Sequence, residues 1–314
     1  MRRLRTEPLG RGGVAGLWPA VAMGLIVVGC TASPGPVASP SASAVGSDAP
    51  TASTTAETRL RGVVALGHSG LTGEGSDPSR PGQEARENSW ATGTAPEVNS
   101  IYQRLIAVRP ETDGHVANVA QAGAPASALL AQARNALEEV PAPELVIIQT
   151  IDGDIRCDGT DDAHVPEFGA AVSETLEVIT EASPESRILM FGQAGRPAME
   201  AEALADEPEI RRMFGGTGIC DFFNPQGTLV PERLATLTGI IEQYEAEQAR
   251  VCGMVPQCET DEGLLATHVR EDDHLAPDGN HLGVRGLAAI AELIWPTVVD
   301  LLDLEVGTKG WIVY

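Results

Sequence analysis

Residues 62–71 have the sequence GVVALGHSGL, in which an apolar run ends at Gly67 and leads directly into His68, Ser69 and Gly70. A short apolar run closed by a glycine is typical of a strand that is buried on both faces of a sheet. A serine directly after such a strand can expose its hydroxyl at the strand's carboxyl end, where ligands bind in parallel sheets. Ser69 is therefore a candidate nucleophile, and the alternative is a turn serine that caps the next segment.

Apolar runs and amphipathic helices alternate along the rest of the chain. Strands that alternate with helices indicate a parallel sheet covered on both faces. The sequence therefore predicts the α/β class: a three-layer α/β/α sandwich with a mostly parallel, flavodoxin-like five-stranded sheet. The further predicted strands are residues 116–120, 145–150, 187–191 and 264–269, and the predicted helices are residues 99–108, 127–140, 168–179, 231–244 and 284–302.

The N-terminus has the pattern of an export signal. Residues 1–29 combine several arginines with an apolar stretch that ends in Val-Val-Gly before Cys30. This ending resembles a bacterial lipobox, whose cysteine is lipidated; the alternative is an uncleaved anchor helix with an incidental cysteine. Residues 30–58 are rich in Ser, Thr, Ala and Pro, which predicts a flexible tether. We therefore expect residues 59–304 to form one domain, lipid-anchored on the outer face of the cell membrane or secreted, with a tail at 305–314.

The composition excludes some classes of partner and site. The formal net charge is -23, and Lys309 is the only lysine. Such an acidic surface repels phosphate backbones, so we expect no nucleic-acid partner. We expect a monomer that needs no cofactor.

Four cysteines lie in the predicted domain, at positions 157, 220, 252 and 258. An even number in an exported chain predicts disulfides, with three possible pairings. The short separation favours a bond between Cys252 and Cys258, which leaves Cys157 for Cys220. The tight C-x-x-C spacing of a zinc site is absent, so we expect no metal there.

Residues 278–281, DGNH, carry an acid three residues before a histidine and precede an apolar helix. In this arrangement Asp278 can orient the imidazole of His281 and stabilise its protonated form. A serine needs such a base, because its hydroxyl is a weak nucleophile unaided. The alternative is a turn aspartate beside an exposed histidine. The same spacing recurs before His274, within a charged run more typical of a solvated loop.

Taken together, these motifs resemble the SGNH/GDSL family of serine hydrolases, in particular a secreted actinobacterial lipoprotein branch. Gly67-x-Ser69 lies near the start of the domain and Asp278-x-x-His281 before its last helix, as in that family. The resemblance covers roughly residues 62–295. Its other blocks are residues 87–91 (ENSWA), 118–124 (NVAQAGA), 148–154 (IQTIDGD), 215–218 (GGTG) and 220–223 (CDFF).

The resemblance implies an esterase or lipase that cleaves small-molecule, lipid or glycan esters. Ser69 would be the nucleophile, His281 the base, and Asp278 the group that orients the base. The backbone N–H groups of Ser69 and Gly123 would donate to the oxyanion, with Gly153 as a third contributor. The acyl chain length and the alcohol portion stay open.

Two positions depart from the family pattern. His68 replaces the usual aspartate before the nucleophile, and we expect it to pack and bond within the same turn. Gly153 replaces an asparagine whose side chain is the third oxyanion donor. Loss of one such donor can cost about 10²–10³ in rate. Gly153 could offer only a backbone N–H, or leave room for water or another side chain. The sequence leaves open whether this change weakens or abolishes catalysis.

Two other functions fit parts of the sequence. A lipid-anchored protein that lost turnover would bind carbohydrate or lipid, and Gly153 motivates this alternative. A calcium-stabilised domain would use the aspartates near Cys157, but Arg156 occupies a ligand position of the calcium loop motif. A solvated acidic loop explains those residues as well. They are Asp152, Asp154, Asp158, Asp161 and Asp162.

Overall fold

The structure, a computed structural model, describes residues 60–268 and 272–305. The predicted signal segment, the tether with Cys30 and most of the predicted tail lie outside the described residues. The strands are β1 (Val63–Gly67), β2 (Val116–Asn118), β3 (Leu145–Gln149), β4 (Arg187–Phe191) and β5 (Cys258–Thr260). The helices are α1 (Ile101–Val108), α2 (Leu129–Glu139), α3 (Asp161–Ala182), α4 (Pro197–Ala203), α5 (Pro208–Met213), α6 (Pro231–Cys252) and α7 (Val284–Leu301).

The strands form one sheet in the order β2-β1-β3-β4-β5, and every neighbouring pair is parallel. This is the flavodoxin-like order, in which the chain reverses direction of growth between β1 and β3. Every residue of β1 and β3 is buried, as expected for strands covered on both faces. The predicted three-layer α/β/α fold is confirmed.

Each face of the sheet has its own apolar core. On one face, Val63 and Ala65 of β1 pack with side chains of α1 and α7 such as Leu105 and Ile294. On the other face, Val64 and Leu66 pack with side chains of α2, α3 and α6. Successive residues of β1 therefore contribute alternately to the core on one face of the sheet and to the core on the other.

The prediction for the last strand was wrong. Leu264 to Val269 was expected to form it, but Leu265–Thr267 is a 3₁₀ turn and the fifth strand is the shorter β5. The carboxylate of Asp261 accepts the backbone N–H groups of Gly263 and Leu265 at 3.1 and 2.7 Å. These bonds turn the chain away from the sheet directly after β5, and Val269 lies outside the described residues.

Both expected disulfides are present. Cys157 is bonded to Cys220, and Cys252 at the end of α6 is bonded to Cys258 at the start of β5. The first bond links the loop after β3 to the segment that follows α5. Within residues 60–268 and 272–305, no helix is long and apolar enough to span a membrane.

Candidate active site

The turn after β1 presents Ser69 at the carboxyl edge of the sheet. Gly67 has φ +134°, and a Cβ there would lie 1.9 Å from the carbonyl oxygen of Gln149, so only glycine fits between β1 and β3. The chain then forms a 3₁₀ turn, Ser69–Leu71, in which the Gly70 N–H donates to the His68 side chain. Ser69 is half-buried in this turn and lines a cavity at the same edge of the sheet.

The buried side chain of His68 stabilises this turn. Its Nδ1 accepts the Gly70 N–H at 3.2 Å, and its side chain is buried, with 1% exposure. Burial lowers the pKa of His68, although Asp152 opposes the shift from 3.6 Å away. The ring is therefore neutral at pH 7, and its Nδ1 caps the Ser69 turn.

The Asp278–His281 turn is held by its own aspartate. Asp278 Oδ1 accepts the backbone N–H groups of Asn280 and His281 at 2.9 and 3.0 Å, and Oδ2 lies 2.9 Å from His281 Nδ1. Partial burial alone would raise the pKa of Asp278, but these bonds outweigh it and hold the pKa below its usual value. The carboxylate therefore stays charged and orients the ring with Nε2 away from the turn.

Ser69 and His281 line the same cavity, which has a volume of about 350 Å³. Gly123 and Gly153 line it too, so the cavity contains every predicted catalytic or oxyanion residue except Asp278, which lies behind His281. No hydrogen bond joins Ser69 to His281 among the described residues. Instead, His281 Nε2 lies 3.5 Å from Oε2 of Glu74.

The two candidate oxyanion glycines differ in their surroundings. Gly123 is exposed, has φ +68°, and has open space where a Cβ would lie. At Gly153 a Cβ would lie 2.4 Å from the carbonyl oxygen of Ala124 and 2.9 Å from the nitrogen of Pro125. The space that a Cβ would need at position 153 is therefore occupied by the Ala124–Pro125 backbone.

Asp154 stabilises the contact between the loop after β3 and the loop before α2. Both of its carboxylate oxygens accept the Ala126 N–H, at 2.9 and 3.1 Å. Burial raises the pKa of Asp154 to about 6, against the opposing effect of these bonds. Asp154 thus joins the loop after β3 to the loop before α2, directly beside Gly153.

Two of the other aspartates near Cys157 also bind backbone groups. Asp161 accepts the N–H groups of Arg156 and Cys157, and Asp158 accepts the Thr160 N–H. These bonds give each carboxylate a role in turn formation. Among the described residues, no group of three or more metal-binding side chains comes together.

The second acid–histidine motif, which ends at His274, has a structural role before the last helix. His274 is buried, its ring stacks on His268 with centroids 5.3 Å apart, and its carbonyl accepts the Gly283 N–H. This bond fixes the residue before α7. His274 is therefore not part of a solvated loop, as the charged run had suggested.

Sequence reasoning missed several residues of the cavity wall, among them Glu74 and Gln149. Glu74 follows Gly73 in a glycine-rich segment, where no spacing signal marks it. Gln149 is the last residue of β3, and its amide packs beside Gly70. A polar residue at the end of a buried apolar run was the available signal for Gln149. Trp90, from the ENSWA block, completes this part of the wall and donates its Nε1–H to the Gly70 carbonyl at 3.0 Å.

The chain matches no protein-family model and no curated protein. It is similar to the extracellular lipase of Streptomyces rimosus, with 15% identity, a TM-score of 0.45, and coverage of 77% of this chain and 100% of the lipase. It is similar to phospholipase A1 of Streptomyces albidoflavus, with 13% identity, a TM-score of 0.44, and coverage of 76% and 99%. An acetyl xylan esterase shares 15% identity, with a TM-score of 0.44 and coverage of 75% and 98%.

Proposed function

We propose that the protein is a serine hydrolase that cleaves carboxylic esters through an acyl-enzyme on Ser69. One observation carries the proposal: Ser69 and His281 line one cavity at the carboxyl edge of the sheet, and His281 is oriented by Asp278 at 2.9 Å. Nucleophile, base and orienting acid are the three groups that acyl transfer to water requires.

The proposed reaction has two half-cycles. His281 Nε2 takes the proton of Ser69 as Oγ bonds to the ester carbonyl carbon, whose oxygen becomes the oxyanion. When this intermediate collapses, the bond to the alcohol oxygen breaks and His281 gives its proton to the leaving group. Water then attacks the acyl-enzyme by the same route and releases the acid and Ser69. The backbone N–H groups of Ser69 and Gly123 are the proposed oxyanion donors.

For this reaction His281 Nε2 must exchange its contact with Glu74 for one with Ser69. Catalytic hydrogen bonds are often long in the absence of substrate and tighten when it binds. The cavity offers an apolar wall, which includes Trp90, Leu287 and Ile290, beside the nucleophile. A volume of about 350 Å³ is at the small end of ligand cavities, which favours a compact acyl group.

The test is covalent labelling of the purified domain with a fluorophosphonate, beside hydrolysis of a short-chain ester. We expect labelling at Ser69 and measurable turnover. Ser69→Ala should abolish both while leaving the thermal melt nearly unchanged, because the half-buried hydroxyl has no core contact to lose. Turnover retained by Ser69→Ala would overturn the assignment.

A binding function is the second candidate, and the backbone that fills the side-chain space at Gly153 favours it. A site with fewer oxyanion donors could bind an ester without cleaving it. A folded protein that binds a glycan or lipid ester but leaves Ser69 unlabelled would support this function instead. Labelling without turnover would indicate a reactive serine in a site with too few oxyanion donors for hydrolysis.

A further inference from the structure

Gln149 places a polar side chain in the apolar part of the candidate active-site cavity. Leu145 and Ile147 of β3 belong to the core on the α7 side of the sheet, and side chains alternate along a strand, so Gln149 points to that same face. The residue lines the cavity wall and is buried, with 1% exposure. Its amide lies against the Ser69 turn, because a Cβ on Gly70 would meet the three terminal atoms of Gln149 at 2.5–2.8 Å.

The amide oxygen of Gln149 has no hydrogen-bond partner among the described residues. A second amide oxygen of the same cavity, that of Gln193 beyond the end of β4, is also buried and has none within that part of the chain. An unpaired buried acceptor is unfavourable, and the large majority of buried polar atoms in folded proteins have a partner. Two such oxygens on one cavity wall therefore indicate that their partner is a molecule bound in the cavity.

Another buried glutamine beside the same turn is fully used by the fold. Gln132, in α2, is 3% exposed, and its amide pairs with both backbone groups of Gly67. Its Oε1 accepts the Gly67 N–H at 2.7 Å, and its Nε2 donates to the Gly67 carbonyl at 3.0 Å. Gln132 therefore stabilises the end of β1, whereas the oxygen of Gln149 is left for a ligand.

The ionisable side chains of the cavity wall do not supply a donor to these two oxygens. Three are carboxylates, which only accept hydrogen bonds when charged, and three are histidines, none of which bonds to either amide oxygen. They are Glu74, Asp152, Glu200, His68, His268 and His281. The described wall is thus rich in acceptors and suits a substrate that donates hydrogen bonds.

We propose that Gln149 and Gln193 are specificity-determining residues, which select an ester whose acyl group carries a hydroxyl close to the carbonyl. The hydroxyl donates to an amide oxygen, and the rest of the acyl group packs on the apolar wall that includes Trp90 and Leu287. The acyl group takes this place because Gln149 lies beside the Ser69 turn and is buried, whereas the alcohol product must leave toward solvent. This inference rests on the proposed function and names its substrate class.

The first test compares hydrolysis of methyl 2-hydroxybutyrate and methyl 3-hydroxybutyrate with hydrolysis of methyl butyrate, which lacks only the hydroxyl. Gln149→Met keeps the length of the side chain and removes the acceptor, and its own preference corrects for differences in intrinsic reactivity. We expect the wild type to prefer one hydroxylated ester, in kcat/KM, by about tenfold or more over the preference of the variant, because a site that pairs with a hydroxyl rejects an analogue without one.

Two outcomes of this test would overturn the proposal. One is the same preference in the wild type and in Gln149→Met. The other is a variant in which kcat/KM falls equally for all three esters, because the amide would then act on the carbonyl chemistry that they share and not on the hydroxyl.

The second test measures binding without turnover, by NMR titration of the three esters into Ser69→Ala. A hydroxylated ester should bind several-fold more tightly than methyl butyrate, and adding Gln149→Met should remove the difference. Wild-type protein that hydrolyses none of the esters would refute the proposed function. Equal affinities for the three esters would instead refute the selection of a hydroxyl.

Gln132→Met is the matched control for loss of a buried glutamine. It should lower the melting temperature by several degrees, because it leaves the Gly67 backbone groups without their partner, and it should not change the preference for a hydroxyl. Gln149→Met should melt close to or above the wild type, since its amide oxygen pairs with nothing in the described protein. If Gln149→Met melts as far below the wild type as Gln132→Met, the amide serves the fold and the proposal fails.

Discussion

Gly153, in the loop after β3, has no side chain. The backbone of Ala124 and Pro125, in the loop before α2, lies where its Cβ would be. The sequence revealed the missing donor, because the glycine stands where the resembled family has asparagine. The sequence did not reveal that the Ala124–Pro125 backbone had closed over the position. Such a contact depends on the paths of two loops that are distant in the chain, and no local pattern encodes it.

This contact predicts that restoring the asparagine will not restore a donor. Gly153→Asn should cost about 1–3 kcal/mol of unfolding free energy, the usual range for overpacking, and should not raise the rate of ester hydrolysis. Urea denaturation and a short-chain ester assay measure the two effects. As a control, Gly239→Ala adds a Cβ in open space within α6 and should stabilise the protein by about 0.5–1 kcal/mol. A Gly153→Asn protein that is as stable as wild type and faster would contradict this account.

Other single residues were predictable to different degrees. Ser69, Asp278 and His281 could be selected as candidates because each lies next to an element boundary that the apolar pattern marks. Ser69 lies at the cavity because the carboxyl ends of parallel strands share one edge of the sheet, and His281 lines the same cavity. Glu74 was not identified, because its contact with His281 joins two segments that are distant in the chain, and no local pattern encodes such a contact.

At the scale of elements, the long apolar runs were predicted well and the last strand was not. β1, β3 and β4 are buried on both faces, so their continuous apolar sequences gave a clear signal. β5 has three residues at the sheet edge and carries little apolar pattern. The more apolar run at Leu264 was a better strand by composition, but the hydrogen bonds of Asp261 turn it into a 3₁₀ turn.

The two disulfides differ in the length of chain that they close, and this difference predicts unequal stabilisation. Cys157 and Cys220 are separated by 63 residues, and Cys252 and Cys258 by 6. In the chain-entropy model, loss of the long-loop bond costs about 4 kcal/mol and loss of the short-loop bond about 2 kcal/mol.

Paired Cys→Ser variants compared by urea denaturation measure both losses. The long-loop pair, Cys157→Ser with Cys220→Ser, should unfold at the lower urea concentration. The opposite order would mean that local packing around Cys252 and Cys258, and not loop closure, dominates their contribution.

At the scale of the whole molecule, two buried groups give stability opposite dependences on pH. The pKa of Asp154 is about 6, above its unfolded value. Ionisation of this carboxyl therefore lowers the free energy of unfolding as the pH rises from about 4 through 6. The pKa of His68 is lowered, so its contribution to stability is present above about pH 6.5 and is lost as the pH falls. The measured curve for the wild type is therefore the sum of opposing slopes.

The contribution of Asp154 is isolated by comparison with Asp154→Asn. The variant should lack the decrease in unfolding free energy between about pH 4 and 7, so its stability relative to wild type should rise over that interval by on the order of 2–3 kcal/mol. Guanidinium unfolding at closely spaced pH values gives the difference, and His68 contributes equally to both proteins. A difference that does not vary with pH would show that Asp154 does not titrate in this range.

The two sides of the cavity come from opposite ends of the folded domain. Ser69 follows the first strand, whereas the Asp278–His281 turn comes directly before α7, the last helix. Because α7 packs on the same core as α1 and β1, the turn reaches Ser69 only when the end of the domain has been made and has docked. A chain cut short before α7 would contain Ser69 without a docked His281 turn. If the proposed function is correct, such a chain would not hydrolyse esters until the last helix had been made and had packed on the core.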